Sequence, residues 1–249
     1  MSDFNRGYAR TIPADRADMS VDAGLRTFML GVYNKMALGL LLSAALAWVT
    51  ADFAPVQQLL YVLTPDGRLA GFTALGTLIR FVPLAVLLGA MFMRNPSPRA
   101  SGVIYWSVVS AIGAGLGVWL LAYTGVSVAT TFLITAAAFG ALSLVGYTTK
   151  KDLTGFGSFL IMGLFGLIIA SLVNMFLHLP GLYFIVNLLG VLIFAGLIAY
   201  DTQRLKMTYY QLGGDHAAMG VATNYGALNL YLNFINLFQF LLQFTGDRR

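Results

Sequence analysis

Apolar residues fall in seven long runs along the chain, separated by short stretches that contain charges or helix breakers. Each run is close to the roughly 20 residues that a helix needs to cross a bilayer. The connections, such as NPSPR and TTKKD, are too short to form separate domains. The pattern predicts membrane-spanning helices near residues 28–51, 71–93, 103–123, 126–147, 156–176, 183–200 and 225–244.

The composition agrees with a membrane protein. Hydrophobic residues make up 58% of the 249 residues, charged residues make up 10%, and the mean hydropathy is +0.77. A water-soluble globule needs more polar surface than this. The chain has no cysteine, which excludes disulfides, thiol catalysis and thiolate metal sites. We therefore predict an all-α integral membrane protein, with a seven-transmembrane-helix bundle over residues 26–249.

Lysine and arginine are distributed unevenly between the connections. They form small groups with no basic stripe, so the net charge of +5 does not predict nucleic-acid binding. Ten of them lie in the first 26 residues or in the second, fourth and sixth connections, whereas the alternate connections contain only Arg68. This bias predicts a cytoplasmic amino terminus, with a polar cytoplasmic tail at residues 1–25. Arg248 and Arg249 favour the opposite side for the carboxyl terminus, so a re-entrant hairpin in the seventh segment is the alternative to seven crossings.

Several charged side chains lie within the predicted spans, where transfer into lipid is costly. Lys35 is close to the cytoplasmic end of the first span, and we expect it to extend to the membrane surface. Arg80 either reaches the interface in the same way or requires a counter-charge near the middle of the membrane. Asp201 closes the sixth span, and pairing with Arg204 at the headgroup level is one interpretation. His178 is interpreted as an interfacial residue.

The seventh segment carries a stripe of amides. Asn229, Asn233 and Asn236 are spaced by four and three residues, which places them on one helix face, and Gln243 extends the stripe. The stripe has two interpretations. It can line a polar seam inside the bundle beside Asp201, or it can hold helices together, since an interhelical amide bond contributes about 0.6 kcal/mol.

Two pairs of small residues predict close helix packing. Gly113 and Gly117 have the small-xxx-small spacing that lets helices approach, and Gly166 and Ala170 have it as well. The GAGLG sequence that contains the first pair lies within a span, so it does not predict a nucleotide-binding loop.

The chain resembles the Bax inhibitor-1 family, especially its bacterial YccA-like branch, in five stretches. These are MALGLLLSAALA at 36–47, FVP at 81–83, GYTTKKDLTGFG at 146–157, AYDTQRLK at 199–206 and ALNLYLNFINLF at 227–238. The resemblance implies a bundle of six helices around a central seventh. It also implies one of two functions: a pH-sensitive calcium leak, or regulation of membrane-protein quality control through a partner protease.

The resemblance assigns two positions in particular. Asp201 matches the family's aspartate in AYDTQ, and Asn233 occupies a position where many members have a second aspartate. Two facing carboxylates can share a proton, whereas asparagine cannot ionise but can hydrogen-bond to a carboxylate. Under the leak hypothesis, Asp201 is the proton sensor and a weak, transient calcium contact. Arg80 is then a candidate counter-ion, with Asn229 and Asn236 in the polar seam.

Enzymatic functions are disfavoured by missing residues. The spans offer no second aspartate for an intramembrane aspartyl protease, the chain has no GxSG motif, and the last span has no lysine for retinal. We expect no enzymatic activity and no cofactor. The expected partners are the lipid bilayer, calcium or protons, and, under the regulator hypothesis, a membrane protease. The resemblance favours a bacterial inner membrane.

Overall fold

The computed structural model describes residues 22–66 and 68–249. Most of the predicted tail at 1–25 therefore lies outside the described residues. The elements are α1 (Ala23–Asp52), α2 (Ala54–Leu60), β1 (Tyr61–Leu63), β2 (Leu69–Phe72), α3 (Ala74–Met91), α4 (Pro98–Ala122), α5 (Gly125–Thr148), α6 (Thr154–Leu177), α7 (Pro180–Gln211) and α8 (His216–Thr245).

Five of the eight described helices begin after a short polar side chain that caps them. The side chain at each of these positions accepts a hydrogen bond from a backbone N–H of the first turn, which satisfies a donor that has no partner within the helix. Such caps precede five helices: Asp22, Thr73, Ser97, Thr124 and Asp215.

Six of the described helices are long and apolar enough to cross a membrane, which supports the all-α membrane class. They are α1, α3, α4, α5, α6 and α7. The helix α8 has 30 residues but is not among the six, because asparagine and glutamine side chains interrupt its apolar sequence.

The helix α8 contacts α1, α4, α5 and α7, whereas α6 packs mainly on α7. Much of α8 is buried by these contacts, including Leu230, Phe234 and Leu237. Burial of apolar side chains between helices gives the described part of the chain one continuous core. Because α6 and α8 both pack on α7 but not closely on each other, a space remains between them.

The helix α8 runs from one end of the bundle to the other without a break. Near its start, Asn224 donates a hydrogen bond to the carbonyl of Pro98, 2.9 Å away, at the α3–α4 connection. Beyond its end, Arg248 forms a β-bridge with Tyr123 at the α4–α5 connection. The helix therefore lacks the turn that a re-entrant hairpin requires.

The second predicted segment begins differently from the expectation. Residues 71 and 72 belong to an antiparallel hairpin, in which Tyr61 pairs with Phe72, and α3 starts only at Ala74. The capping side chain of Thr73 and the strand pairing together hold this segment outside the helix. Pro83 lies inside α3, which continues past it to Met91.

The small-residue prediction is confirmed for one pair. A Cβ atom at Gly113 would lie 2.6 Å from the Cα atom of Ser43, and one at Gly117 would lie 2.2 Å from Oγ1 of Thr50, so both glycines permit close contact between α4 and α1. The prediction is wrong for Gly166. A Cβ atom there would meet nothing within 4 Å, because that face of α6 has no neighbouring helix.

Candidate functional site

The site is built around a hydrogen bond between α7 and α8. The side-chain amide of Asn233 donates to Oδ2 of Asp201 over 2.7 Å. The other carboxylate oxygen lies 4.0 Å from the guanidinium of Arg204, one helical turn further along α7. The Asp201 side chain is 13% exposed and that of Arg204 is 59% exposed, so the carboxylate lies below the surface while its cation remains outside.

The residues that follow Asp201 fix α7 in place. Gln203 accepts a hydrogen bond from the backbone N–H of Leu153 and donates one to the carbonyl of Lys151, each over 2.8 Å. These bonds tie the α5–α6 connection to α7. Thr202 is fully buried, and its hydroxyl lies 3.4 Å from that of Tyr33 on α1. The carboxylate thus projects from a helix that is held on two sides.

A cleft of about 570 Å³ lies between α6, α7 and α8, and we call it the amide cleft. Its walls are mostly apolar, and its polar groups come from α8, from Asp201 and from one serine of α6. The lining residues are Leu164, Leu167, Ile168, Ser171, Leu172, Met175, Phe194, Asp201, Asn229, Leu232, Asn233, Asn236 and Phe240.

A smaller cavity of about 110 Å³ lies on the other side of the carboxylate, towards the α7–α8 connection. It is lined by Arg204, Thr208 and Tyr225, among others, and it shares two residues with the amide cleft. The shared residues are Asp201 and Asn229. The side chains of Asp201 and Asn229 therefore lie at the boundary between the two cavities.

The structure brings the predicted amide stripe to the amide cleft, but its members differ. Asn233 is buried and bonds to Asp201. Asn236 donates to the carbonyl of Leu232, 2.8 Å away in its own helix. Asn229 is exposed, and no group among the described residues hydrogen-bonds to its amide. A polar group without a partner is costly in lipid, so the position of Asn229 favours water in the cleft.

The other predicted charged residues lie away from Asp201. The guanidinium of Arg80 lies 4.2 Å from the ring centre of Phe72, on a helix that packs against α4 and the hairpin. Among the described residues, Arg204 rather than Arg80 is the cation within 4.0 Å of Asp201. His178 ends α6 at the opposite end of the bundle and is exposed.

Sequence reasoning missed the role of Lys35. Its amine donates to the side-chain oxygen of Asn224 and lies 5.3 Å from the ring centre of Tyr105. The side chain is therefore held by α8 and α4 and does not simply extend to the membrane surface. The sequence places Lys35 and Asn224 near the same membrane face. Predicting that they pair requires knowing that α1 and α8 are neighbours.

The described residues contain no group of three or more histidine, cysteine, aspartate or glutamate side chains that could hold a metal ion. A calcium ion at Asp201 would therefore depend on one carboxylate, supplemented by amide and backbone oxygens. Calcium prefers six to eight oxygen ligands, so such a site would bind weakly.

Comparison with known proteins places the chain among bacterial membrane proteins. It is 67% identical over its whole length to an uncharacterized protein of Caulobacter vibrioides, which is covered completely as well. It is 42% identical to the inner membrane protein YbhL of Escherichia coli K12, with 91% of this chain and 94% of YbhL covered. It is also 42% identical to the uncharacterized protein RP147 of Rickettsia prowazekii, over 97% of this chain and 98% of that protein.

The family described as "Inhibitor of apoptosis-promoting Bax1" matches residues 25–249. This range includes every helix from α2 to α8, nearly all of α1, and both sides of the hydrogen bond between Asp201 and Asn233. The resemblance seen in the sequence motifs is thereby confirmed, and the chain belongs to the Bax inhibitor family.

Proposed function

We propose that the protein is a pH-sensitive cation leak of a bacterial inner membrane, with calcium as the conducted ion. Support for the membrane comes from the similarity to YbhL, whose name describes an inner membrane protein. The choice of calcium rests on the family resemblance. The path runs from the cavity beside Arg204 past Asp201 and Asn229 into the amide cleft.

The observation that carries this proposal is that Asp201 borders both cavities. A cation that passes from one cavity to the other therefore meets this carboxylate on its way. Conduction requires a contact that attracts the ion but releases it again, and a single carboxylate with amide neighbours provides such a weak contact.

Protonation of Asp201 would act as the gate. The charged carboxylate accepts a hydrogen bond from Asn233 and attracts a cation, whereas the protonated acid loses its charge and can donate to the amide oxygen instead. Because asparagine does not ionise, Asp201 titrates here without a coupled acidic partner. We therefore expect a simpler pH dependence than a pair of aspartates would produce.

In this proposal α8 is a seventh span at the centre of the bundle, and the amino terminus is cytoplasmic. Support for the central position comes from the contacts of α8 with four other helices. A polar helix can lie at membrane depth when protein or water surrounds its amides. The orientation rests on the distribution of lysine and arginine.

The test is calcium efflux from liposomes between pH 6 and 8, comparing the native chain with Asp201→Asn and Asn233→Asp. We expect Asp201→Asn to lower the flux about tenfold or more, as expected when one charge-assisted contact is lost. Asn233→Asp should steepen the pH dependence. Asp152→Asn is the matched control, since Asp152 is an exposed loop carboxylate whose loss should leave the flux unchanged. Equal flux in native protein and Asp201→Asn would contradict the proposal.

A second candidate function is a non-conducting regulator of a membrane protease or another quality-control complex. The observation that favours it is the neutral side chain at Asn233, which already satisfies one oxygen of Asp201. In this case no pH-dependent flux is expected in the native chain, and flux appears only in Asn233→Asp. Deletion of residues 2–24 would then remove partner binding, whereas under the leak proposal it would leave the flux intact.

A further inference from the structure

A further cavity, away from Asp201, lies where the α6–α7 connection meets the last residues of the chain. Its volume is about 270 Å³, and we call it the Arg248 cavity. It is lined by Asn174, His178, Leu179, Pro180, Tyr183 and Arg248. We propose that the Arg248 cavity binds the phosphate group of an anionic membrane phospholipid.

The guanidinium of Arg248 is held in place by two tyrosines. Its Nε donates to the hydroxyl of Tyr123 and its Nη2 donates to the hydroxyl of Tyr183, each over 3.3 Å. The bond to Tyr123 raises the pKa of Arg248 and so favours its charged form. Among the described residues, no carboxylate lies within 4.0 Å of this guanidinium. An arginine has five N–H donors, so three remain for an anion.

The neighbouring carboxylate, Asp247, is directed elsewhere. Its backbone N–H donates to the hydroxyl of Ser127 over 3.0 Å, and that hydroxyl lies 3.5 Å from its Oδ2. The backbone of the same segment is fixed as well, since Arg249 donates to the carbonyl of Ala122 over 3.0 Å. The last residues therefore present Arg248 to the cavity from a docked backbone.

His178 lines the same cavity and, in its imidazolium form, offers a second N–H donor. It is the one described residue other than glycine with a positive φ, at 52°. This left-handed conformation is the C-cap of α6, where the backbone N–H of His178 donates to the carbonyl of Asn174. The Nδ1–H of His178 donates to the carbonyl oxygen of Phe176, 3.1 Å away, and no described group bonds to Nε2. In the imidazolium form Nε2 also carries a proton, which can be donated to a phosphate oxygen. The amino terminus of α7 begins beside His178 without a capping side chain, which adds a partial positive charge.

The surroundings of the cavity indicate a lipid as the source of the phosphate. The last turn of α6 exposes Phe176 by 77% and Leu177 by 57%, and Leu179 in the connection is 49% exposed. Apolar side chains at this level of a membrane helix contact acyl chains, while arginine and histidine contact headgroups. A free phosphate ion would use the same donors but would gain nothing from this apolar rim. Phosphatidylglycerol satisfies both parts of the site.

The proposal is tested on the full chain in detergent, with dioleoyl phosphatidylglycerol and dioleoyl phosphatidylcholine as probes. Lipid affinity is measured by native mass spectrometry or by the shift in unfolding temperature. We expect phosphatidylglycerol to bind more tightly than phosphatidylcholine, and Arg248→Gln to weaken its binding about tenfold. The matched control is Arg249→Gln, which removes the same charge from an adjacent residue outside the cavity and should leave the affinity unchanged.

A second variant separates binding from folding. His178→Gly suits the positive φ at that position, so it removes the imidazole without straining the backbone. We expect it to weaken phosphatidylglycerol binding about threefold, as the loss of one hydrogen bond would. Equal binding of the two lipids, or equal losses in Arg248→Gln and Arg249→Gln, would overturn the proposal. Binding of inorganic phosphate without a preference for phosphatidylglycerol would also overturn it, because the source would then be a soluble anion. None of these outcomes depends on calcium flux.

Discussion

Similar polar residues have different surroundings on the two sides of α8. On the side that faces α1 and α4, which we call the closed side, polar groups are buried and bonded. Asn224 donates to the carbonyl of Pro98 and to the hydroxyl of Ser101 over 2.9 and 2.8 Å, and it accepts from Lys35. The hydroxyl of Tyr231 lies 2.6 Å from that of Ser43.

On the side that faces α6 and α7, which we call the open side, polar groups border a cavity. Asn229 has no hydrogen-bond partner among the described residues, and Asn236 bonds only to its own helix. Asn233 is the exception, since it joins Asp201. The difference teaches that an amide in a membrane helix indicates function only when its surroundings are known. The same residue type stabilises the bundle on one side and borders a cavity on the other.

Glycine substitutions give the largest expected difference between the two sides. Gly113→Ala places a Cβ atom against the backbone of Ser43 on the closed side, so we expect it to lower the free energy of unfolding by about 3 kcal/mol. Gly166→Ala on α6 meets open space and should not destabilise the protein. Thermal unfolding in detergent measures both. Equal loss of stability in the two variants would contradict the distinction between the closed side and the open side.

Asparagine substitutions give the next largest difference. Asn224→Ala removes three hydrogen bonds and leaves the amine of Lys35 without its amide partner, so we expect a loss of about 2 kcal/mol. Asn229→Ala removes no bond among the described residues and should change stability by less than about 0.5 kcal/mol. Denaturation monitored by circular dichroism distinguishes them. A stability loss in Asn229→Ala as large as that in Asn224→Ala would mean that polar groups on the open side are also buried and bonded.

A hydroxyl deletion gives the smallest difference. Tyr231→Phe removes the bond to Ser43 between helices, for which we expect a cost of about 1 kcal/mol. Ser171→Ala is the matched change on the open side. Its hydroxyl donates to the carbonyl of Leu167 in its own helix, so its loss should be close to neutral. The unfolding temperatures of the two variants should differ in this order, and the reverse order would contradict the assignment of the sides.

The sequence predicted the helices well, because spans of about 20 apolar residues are strongly constrained by bilayer thickness. The contact between Asp201 and Asn233 was also anticipated, but only through the family resemblance. Hydrophobic periodicity places two residues on helix faces without saying which faces meet. For that reason the partner of Lys35 could not be predicted, and neither could the open space beside Gly166.

The termini of the segments were harder to predict. Apolar residues of the hairpin strand β2 extend the second hydrophobic run, so its start was predicted inside a strand. From the sequence, Arg248 is interpreted only as a charge that opposes export of the carboxyl terminus. In the structure its guanidinium bonds to the hydroxyls of Tyr123 and Tyr183, so its charge is accommodated by neighbours that a count of basic residues does not include.

The most direct test of the central claim is to ask whether the open side of α8 contacts water. The native chain has no cysteine, so single cysteines can be introduced without background labelling. We predict that a membrane-impermeant methanethiosulfonate reagent modifies Asn229→Cys, whereas buried Tyr231→Cys does not react. Phe165→Cys on α6 is the lipid-facing control, since Phe165 is 65% exposed but lies outside the cleft. Protection of Asn229→Cys to the same degree as Phe165→Cys would contradict the account.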